Sequence, residues 1–259
     1  MLVIGLDAAS QWENFGFAIG RIGNGTVAIE QAGLIADRSR PEVLASIIGP
    51  LLRTTDQALV AIDAPLGWPA PLGTSLAFHK AGEKLPSEKH ESFCRETDRW
   101  VRKQIGKKPL DVGADKIALA AYTALEALSI LRQLSGKPIP LAWNPRFSGI
   151  AAIEVYPGAT LKAAGLPDTG YTDTNKDQSE RNGVRRDIAA GLQLRLTGLA
   201  PFISAQDDVF DACLCLAAAL DFLEGRAMPP TDHANAEREG WIWVRSPMDP
   251  AEPRGRGRS

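Results

Sequence analysis

The sequence of 259 residues predicts an α/β fold, a mixed sheet with helices packed on its faces. Three observations predict it. Short apolar runs of strand length recur along the chain, and several end in an acidic residue. An Asn-Gly pair joins two of the first runs, which is a hairpin signal. Helical patterns separate the later runs, as in a chain that crosses over to form parallel strands.

The elements follow in order. Residues 2–7, "LVIGLD", read as a strand ending in Asp7. Phe15 to Ile19 and Val27 to Leu34 read as two more, joined by "RIGNGT", so three antiparallel strands open the chain. Pro41 starts a helical pattern to about Arg53, with Val43, Leu44, Ile47, Ile48, Leu51 and Leu52 on one side. "LVAID", residues 59–63, is a buried strand that puts Asp63 where the next apolar residue belongs, and Pro65 and Gly67 then turn the chain. Residues 64–114 hold five prolines, five glycines and many charges. They read as an insertion, helical around "CRETDRWVRKQIG", because structureless loops of that length are uncommon.

Residues 115–134 form a helix ended by Gly136 and Pro138. "IAAIEVYPG", 150–158, is a strand carrying Glu154. Residues 179–197 pattern as a charged amphipathic helix, and 206–225 as a helix with an acidic start and an Ala/Leu/Cys body. "GWIWVR", 240–245, reads as a last short strand. The expected organisation is one domain over 1–250, with 64–114 inserted in it as a lid and 251–259, "AEPRGRGRS", a disordered tail.

A formal net charge of -2 argues against constitutive, non-specific nucleic-acid binding and leaves room for a local basic groove. The three cysteines, Cys94, Cys213 and Cys215, have no zinc spacing, and their odd number argues against a disulfide framework. No secretory leader is apparent, and no uncharged apolar stretch is long enough to span a bilayer. The expectation is a cytoplasmic protein without a membrane partner. His79, His90 and His233 lack ligand or triad spacing, and no GxSxG or Walker motif occurs.

The acids carry the chemistry. In open α/β sheets ligands gather at the C-terminal ends of parallel strands, where Asp7, Asp63 and Glu154 fall. Adjacent strands lie about 4.8 Å apart, so neighbouring Asp7 and Asp63 would repel unless a cation lay between them. Asp208 and Asp211, three apart near a helix start, point to one spot. Oxygen-only ligands suit Mg²⁺ or Mn²⁺. Four of the acids also have a plainer role open to them: an Asx turn for Asp63 or Asp7, an exposed edge for Glu154, the positive helix end for Asp208; Asp211, one turn into an apolar helix, is harder to dismiss. Arg95, Asp98 and Arg102, at helical spacing, are either a solvated face or a lid that grips phosphate. Lys176, Arg181, Arg185 and Arg186 are either a second basic rim or a solvated helix face.

"GLDAA", "IDAPLG", "CRETD", "EVYPGATLK" and "DDVFDA" together resemble a predicted nuclease family known as domain of unknown function 429, over nearly the whole chain. The acid-bearing strands and the late acidic helix also look like the RNase H-like superfamily. The resemblance implies an RNase H-like sheet of five strands in the order 3-2-1-4-5 and a metal-dependent nuclease site at Asp7, Asp63, Glu154, Asp208 and Asp211. The resulting expectation is a divalent-metal phosphodiester hydrolase acting on nucleic acid or nucleotides, with substrate contacts from Arg95, Asp98, Arg102, Lys176 and Arg185. Two rivals stand beside it. Nucleotide binding of the actin-like kind needs a second such domain and a glycine-rich phosphate loop, which this sequence lacks. A non-catalytic interaction protein on the same fold is the other, since fold does not fix function.

Overall fold

The computed structural model describes residues 1–35, 41–113 and 115–247; the tail expected to be disordered lies outside them. The chain opens with β1 (Leu2–Asp7), β2 (Gly16–Gly23) and β3 (Thr26–Leu34), paired antiparallel. Asn24 and Gly25, with φ of 52° and 71°, make the β2–β3 turn. Both central residues are left-handed, the conformation a two-residue hairpin needs.

A π-helical turn (Leu44–Ile48) then runs into α1 (Gly49–Thr54). Pro50 has no N–H to donate, so the regular ladder is interrupted within the expected helix. β4 (Ala58–Asp63) pairs parallel with β1, and β5 (Ile150–Glu154) parallel with β4. Between them the insertion folds as α2 (Ala70–Leu76), α3 (Lys89–Phe93) and α4 (Glu96–Ile105), followed by the long α5 (Asp115–Ser135). The remaining elements are α6 (Pro157–Ala163), α7 (Gln178–Leu192), β6 (Leu196–Thr197), α8 (Asp207–Leu223) and α9 (His233–Glu239).

The sheet has six strands, not the expected five, in the order β5-β4-β1-β2-β3-β6. The helix expected over 179–197 stops at Leu192, and the chain turns to add β6 to the free edge of β3. Residues 240–245 are not a strand. Ile242 makes one bridge to Glu154, and Arg245 one to Ala227.

Two apolar layers enclose the sheet. On one face Val3, Leu59, Ala61, Ala151 and Ile153 pack against α7 and α8. On the other, Leu2, Ile4, Leu6, Val60 and Ile62 pack against α1 and α5. Strands buried on both faces read as continuous apolar runs, which is why β1 and β4 do not alternate. By length and composition α5 is apolar enough to cross a membrane. Here its Ala124, Ala127, Leu128 and Leu131 side covers the sheet.

Candidate functional site

Asp7 and Asp63 are the last residues of β1 and β4 and are direct partners in the parallel register. Partners in parallel strands share a face. Theirs continues the line of Val3, Leu59 and Ala61, the face covered by α8. Two glycines let that helix lie on the sheet backbone to backbone. A Cβ on Gly5 would run into the Ala212 carbonyl, and one on Gly16 into that of Asp208. This close approach delivers Asp208 and Asp211, one helical turn apart, to the ends of β1 and β4.

The aspartates act on one another in one direction. Burial raises Asp7 well above the usual carboxylate range, and Asp63, then Asp211 and Asp208, push it further. Burial raises Asp63 in the same way, reinforced by Asp211 and Glu154. Asp211 is pushed up to about 7, chiefly by burial; the Tyr171 hydroxyl and the Arg185 guanidinium oppose the rise. Asp208 is raised by burial and Asp207, against its own backbone amide. Among the described residues, the buried Asp211 Oδ1 has no hydrogen-bond partner.

Glu154 does not join this group as expected. It alternates with Ile150 and Ala152, which pack on the opposite face from Ala151 and Ile153. Its oxygens are already engaged. Arg95 Nη2 donates to Oε1 at 2.7 Å, while Arg95 Nη1 and the Leu66 amide donate to Oε2, both at 2.9 Å. Glu154 still lines the same cavity as Asp7 and Asp63. So four aspartates are brought together, and the glutamate is a neighbour. Among the described residues no group of three or more His, Cys, Asp or Glu is placed so that it could hold a metal ion.

Arg95 is neither a phosphate-gripping cation nor part of a solvated face. It is 1% exposed. Besides Glu154 it donates to Asp98 from Nε and Nη2 and to the Glu239 carbonyl from Nη1. Asp98, also buried, accepts from the Arg95 amide and so caps the start of α4. Glu239 completes the clip: its carboxylate accepts from the Ala70 and Glu96 amides, at the starts of α2 and α4. The "CRETD" stretch thus fastens the insertion to β5 and to the segment after α9. Only Arg102 of this trio is exposed.

Arg185 is likewise buried. It donates to the Tyr171, Ile203 and Ala205 carbonyls, pairs with Asp207 and lies 4.8 Å over the Phe210 ring. It holds the start of α8 in place, with four of its five guanidinium N–H groups engaged by these partners. Lys176 is partly exposed. Tyr156, Tyr171 and Glu239 were missed by the sequence reading, because nothing in their spacing marks them.

A cavity of about 210 Å³ opens beside the aspartates, lined by Asp7, Asp63, Glu154, Tyr156, Leu110 and Ile117 among others. A larger one, about 540 Å³, lies beyond the Glu239 clip between α2 and α9 and touches none of the four aspartates.

Fold and site together define an α/β protein with an aspartate cluster at the C-terminal ends of adjacent parallel strands. The chain belongs to the family described as "Protein of unknown function (DUF429)", which matches residues 7–235 and so includes all four aspartates and Glu154. That description names no activity. No curated protein and no solved structure matches the chain.

Proposed function

We propose that this protein is a divalent-metal-dependent phosphodiester hydrolase, a nuclease, on an RNase H-like fold. The observation that carries the proposal is the Asp7–Asp63 pair in parallel register, on the face where α8, which bears Asp208 and Asp211, packs against the backbone of Gly5 and Gly16. Asp63 and Asp211 raise the protonation range of Asp7, and Asp211 raises that of Asp63, an arrangement a bound cation would relieve. The fold reading is supported by three antiparallel strands followed by β4 and β5 on the far side of β1.

The donor set suits Mg²⁺ or Mn²⁺, because every candidate ligand is a carboxylate oxygen and, among the described residues, the buried Asp211 Oδ1 lacks a partner. Asp7, Asp63, Asp208 and Asp211 would hold the ion. When bound, it supplies neutralisation of phosphate charge and a more acidic water. The carboxylates must be deprotonated to bind, so occupancy rises with pH. The Tyr171 hydroxyl and the Arg185 guanidinium both favour the ionised form of Asp211. Arg185 fixes both the Tyr171 loop and the start of α8 by its bonds to the Tyr171 and Ala205 carbonyls.

The test is hydrolysis of single- and double-stranded DNA and RNA with Mn²⁺ or Mg²⁺. The expected result is metal-dependent cleavage that chelation and Asp63→Asn both abolish. Cleavage unchanged in Asp63→Asn, or none on any substrate with either metal, refutes the proposal.

A further inference from the structure

We propose that the cavity beside the aspartates receives one unpaired base of a single nucleic-acid strand, with Tyr156 as the platform on which it stacks. The proposal deepens the hydrolase reading and rests on it. Its starting point is the mixed lining of the cavity: the acids Asp7 and Asp63, the apolar Pro109, Leu110 and Ile117, and the aromatic ring of Tyr156 all face it.

Size limits the occupant. About 210 Å³ corresponds to roughly seven waters at ~30 Å³ each. It is smaller than the ~300–1,000 Å³ of pockets that enclose drug-sized ligands. One base fits, and a base pair does not. A base seated against the apolar residues would leave its neighbouring phosphate at the aspartates. A duplex keeps its bases stacked inside and would present only backbone to this opening.

The wall is built for a flat apolar face. Leu110 is 65% exposed, so its apolar side chain is open to a ligand in the cavity. The Tyr156 ring packs against the cluster of Val101, Ile105 and Ile242, which holds it still. A fixed aromatic loses little freedom when a ligand stacks on it. Among the described residues its hydroxyl has no hydrogen-bond partner, which leaves a donor in the lining. The buried Arg95 also lines the cavity, but its N–H groups are engaged by Asp98, Glu154 and Glu239. Recognition here is therefore by stacking, which tolerates any base.

The experiment measures binding by anisotropy, with Mn²⁺ present, of labelled hydrolysis-resistant phosphorothioate oligonucleotides. A single strand, the same strand with abasic sites, and a duplex are compared. The single strand should bind more tightly than the abasic strand by about 5- to 150-fold, the range for stacking on one aromatic. The duplex should bind more weakly than the intact single strand. Tyr156→Ala should erase the preference, Tyr156→Phe keep it, and Leu110→Ala weaken it. Leu110 is exposed enough for that change to spare the fold if Tyr156→Ala does not. Equal binding of all three ligands, no binding to any, or an unchanged preference in both alanine variants would overturn the base site. A base preference without cleavage of the ordinary strand overturns the hydrolase reading alone. Cleavage without a base preference overturns the base site alone.

Discussion

Replacing Arg95 by Met is the sharpest probe of the buried clip. The substitution keeps an unbranched apolar stem and removes the guanidinium. Five side-chain hydrogen bonds go with it, two to Asp98, two to Glu154 and one to the Glu239 carbonyl. Asp98 and Glu154, 1% and 3% exposed, are left as buried carboxylates without their cation. Removing one partner from a buried ion pair costs about 3–5 kcal/mol. At about 2–4 °C per kcal/mol for a chain near this size, the melting temperature should fall by roughly 6–20 °C. The deficit should depend on pH. Burial already raises Glu154 and Arg95 holds it down, so loss of Arg95 raises it further and the variant's folded form takes up protons that the unfolded form does not. Its stability therefore falls as pH rises above the ordinary carboxylate range, and the gap to wild type narrows towards pH 4. Adding Glu154→Gln removes one of the stranded charges and keeps an acceptor for the Leu66 amide. The double variant should be more stable than Arg95→Met alone. Thermal melts at pH 5 and pH 8 measure all of this. A loss below about 1 kcal/mol, the range of exposed ion pairs, with no pH dependence, would show that Arg95 is a surface cation and that the clip is wrong.

Gly5→Ala places a methyl against the Ala212 carbonyl; α8 must lift, and a loss of several kcal/mol in urea unfolding is expected, against a few tenths if the helix can shift freely. In chelator, Asp63→Asn should melt higher than wild type at pH 8 and lose that advantage near pH 4. Burial, Asp211 and Glu154 raise the folded Asp63, so the wild type loses stability as pH climbs past the ordinary carboxylate range; a lower melting temperature at pH 8 would refute the mutual repulsion. Arg102→Ala, on an exposed site, should change stability by less than about 0.5 kcal/mol, and a larger loss would mean that α4 packs differently.

The parts of the fold that declare themselves locally were legible. Apolar runs ending in Asp7 and Asp63, the Asn24-Gly25 turn and the α8 pattern all lie within short windows. The end of α7 was not, because Gln193 to Leu196 continue an ordinary helical composition and only the free edge of β3 draws Leu196 and Thr197 into a strand. The face on which Glu154 emerges was hidden for a related reason. β5 is buried on both sides, so its sequence has no alternation from which to read a face. The partner of Glu154 was equally hidden, since Arg95 lies 59 residues away in the chain. Arg95 and Arg185 looked like surface cations because charge is readable from sequence while burial against a distant carboxylate is not. The closeness of Asp208 and Asp211 to the strand ends depends on Gly5 and Gly16, residues whose role shows only once a helix is laid across them.

Calorimetric titration of Mn²⁺ into the chelator-treated protein at pH 8 tests the central claim most directly. Asp7, Asp63, Asp208 and Asp211 should give saturable binding in the wild type. Binding should release protons as the raised carboxyls ionise, so the heat should vary with the buffer's ionisation enthalpy. Asp63→Asn should lose this binding while staying folded. Absence of binding to the wild type, or identical binding by Asp63→Asn, would contradict the assignment of these aspartates as a metal site.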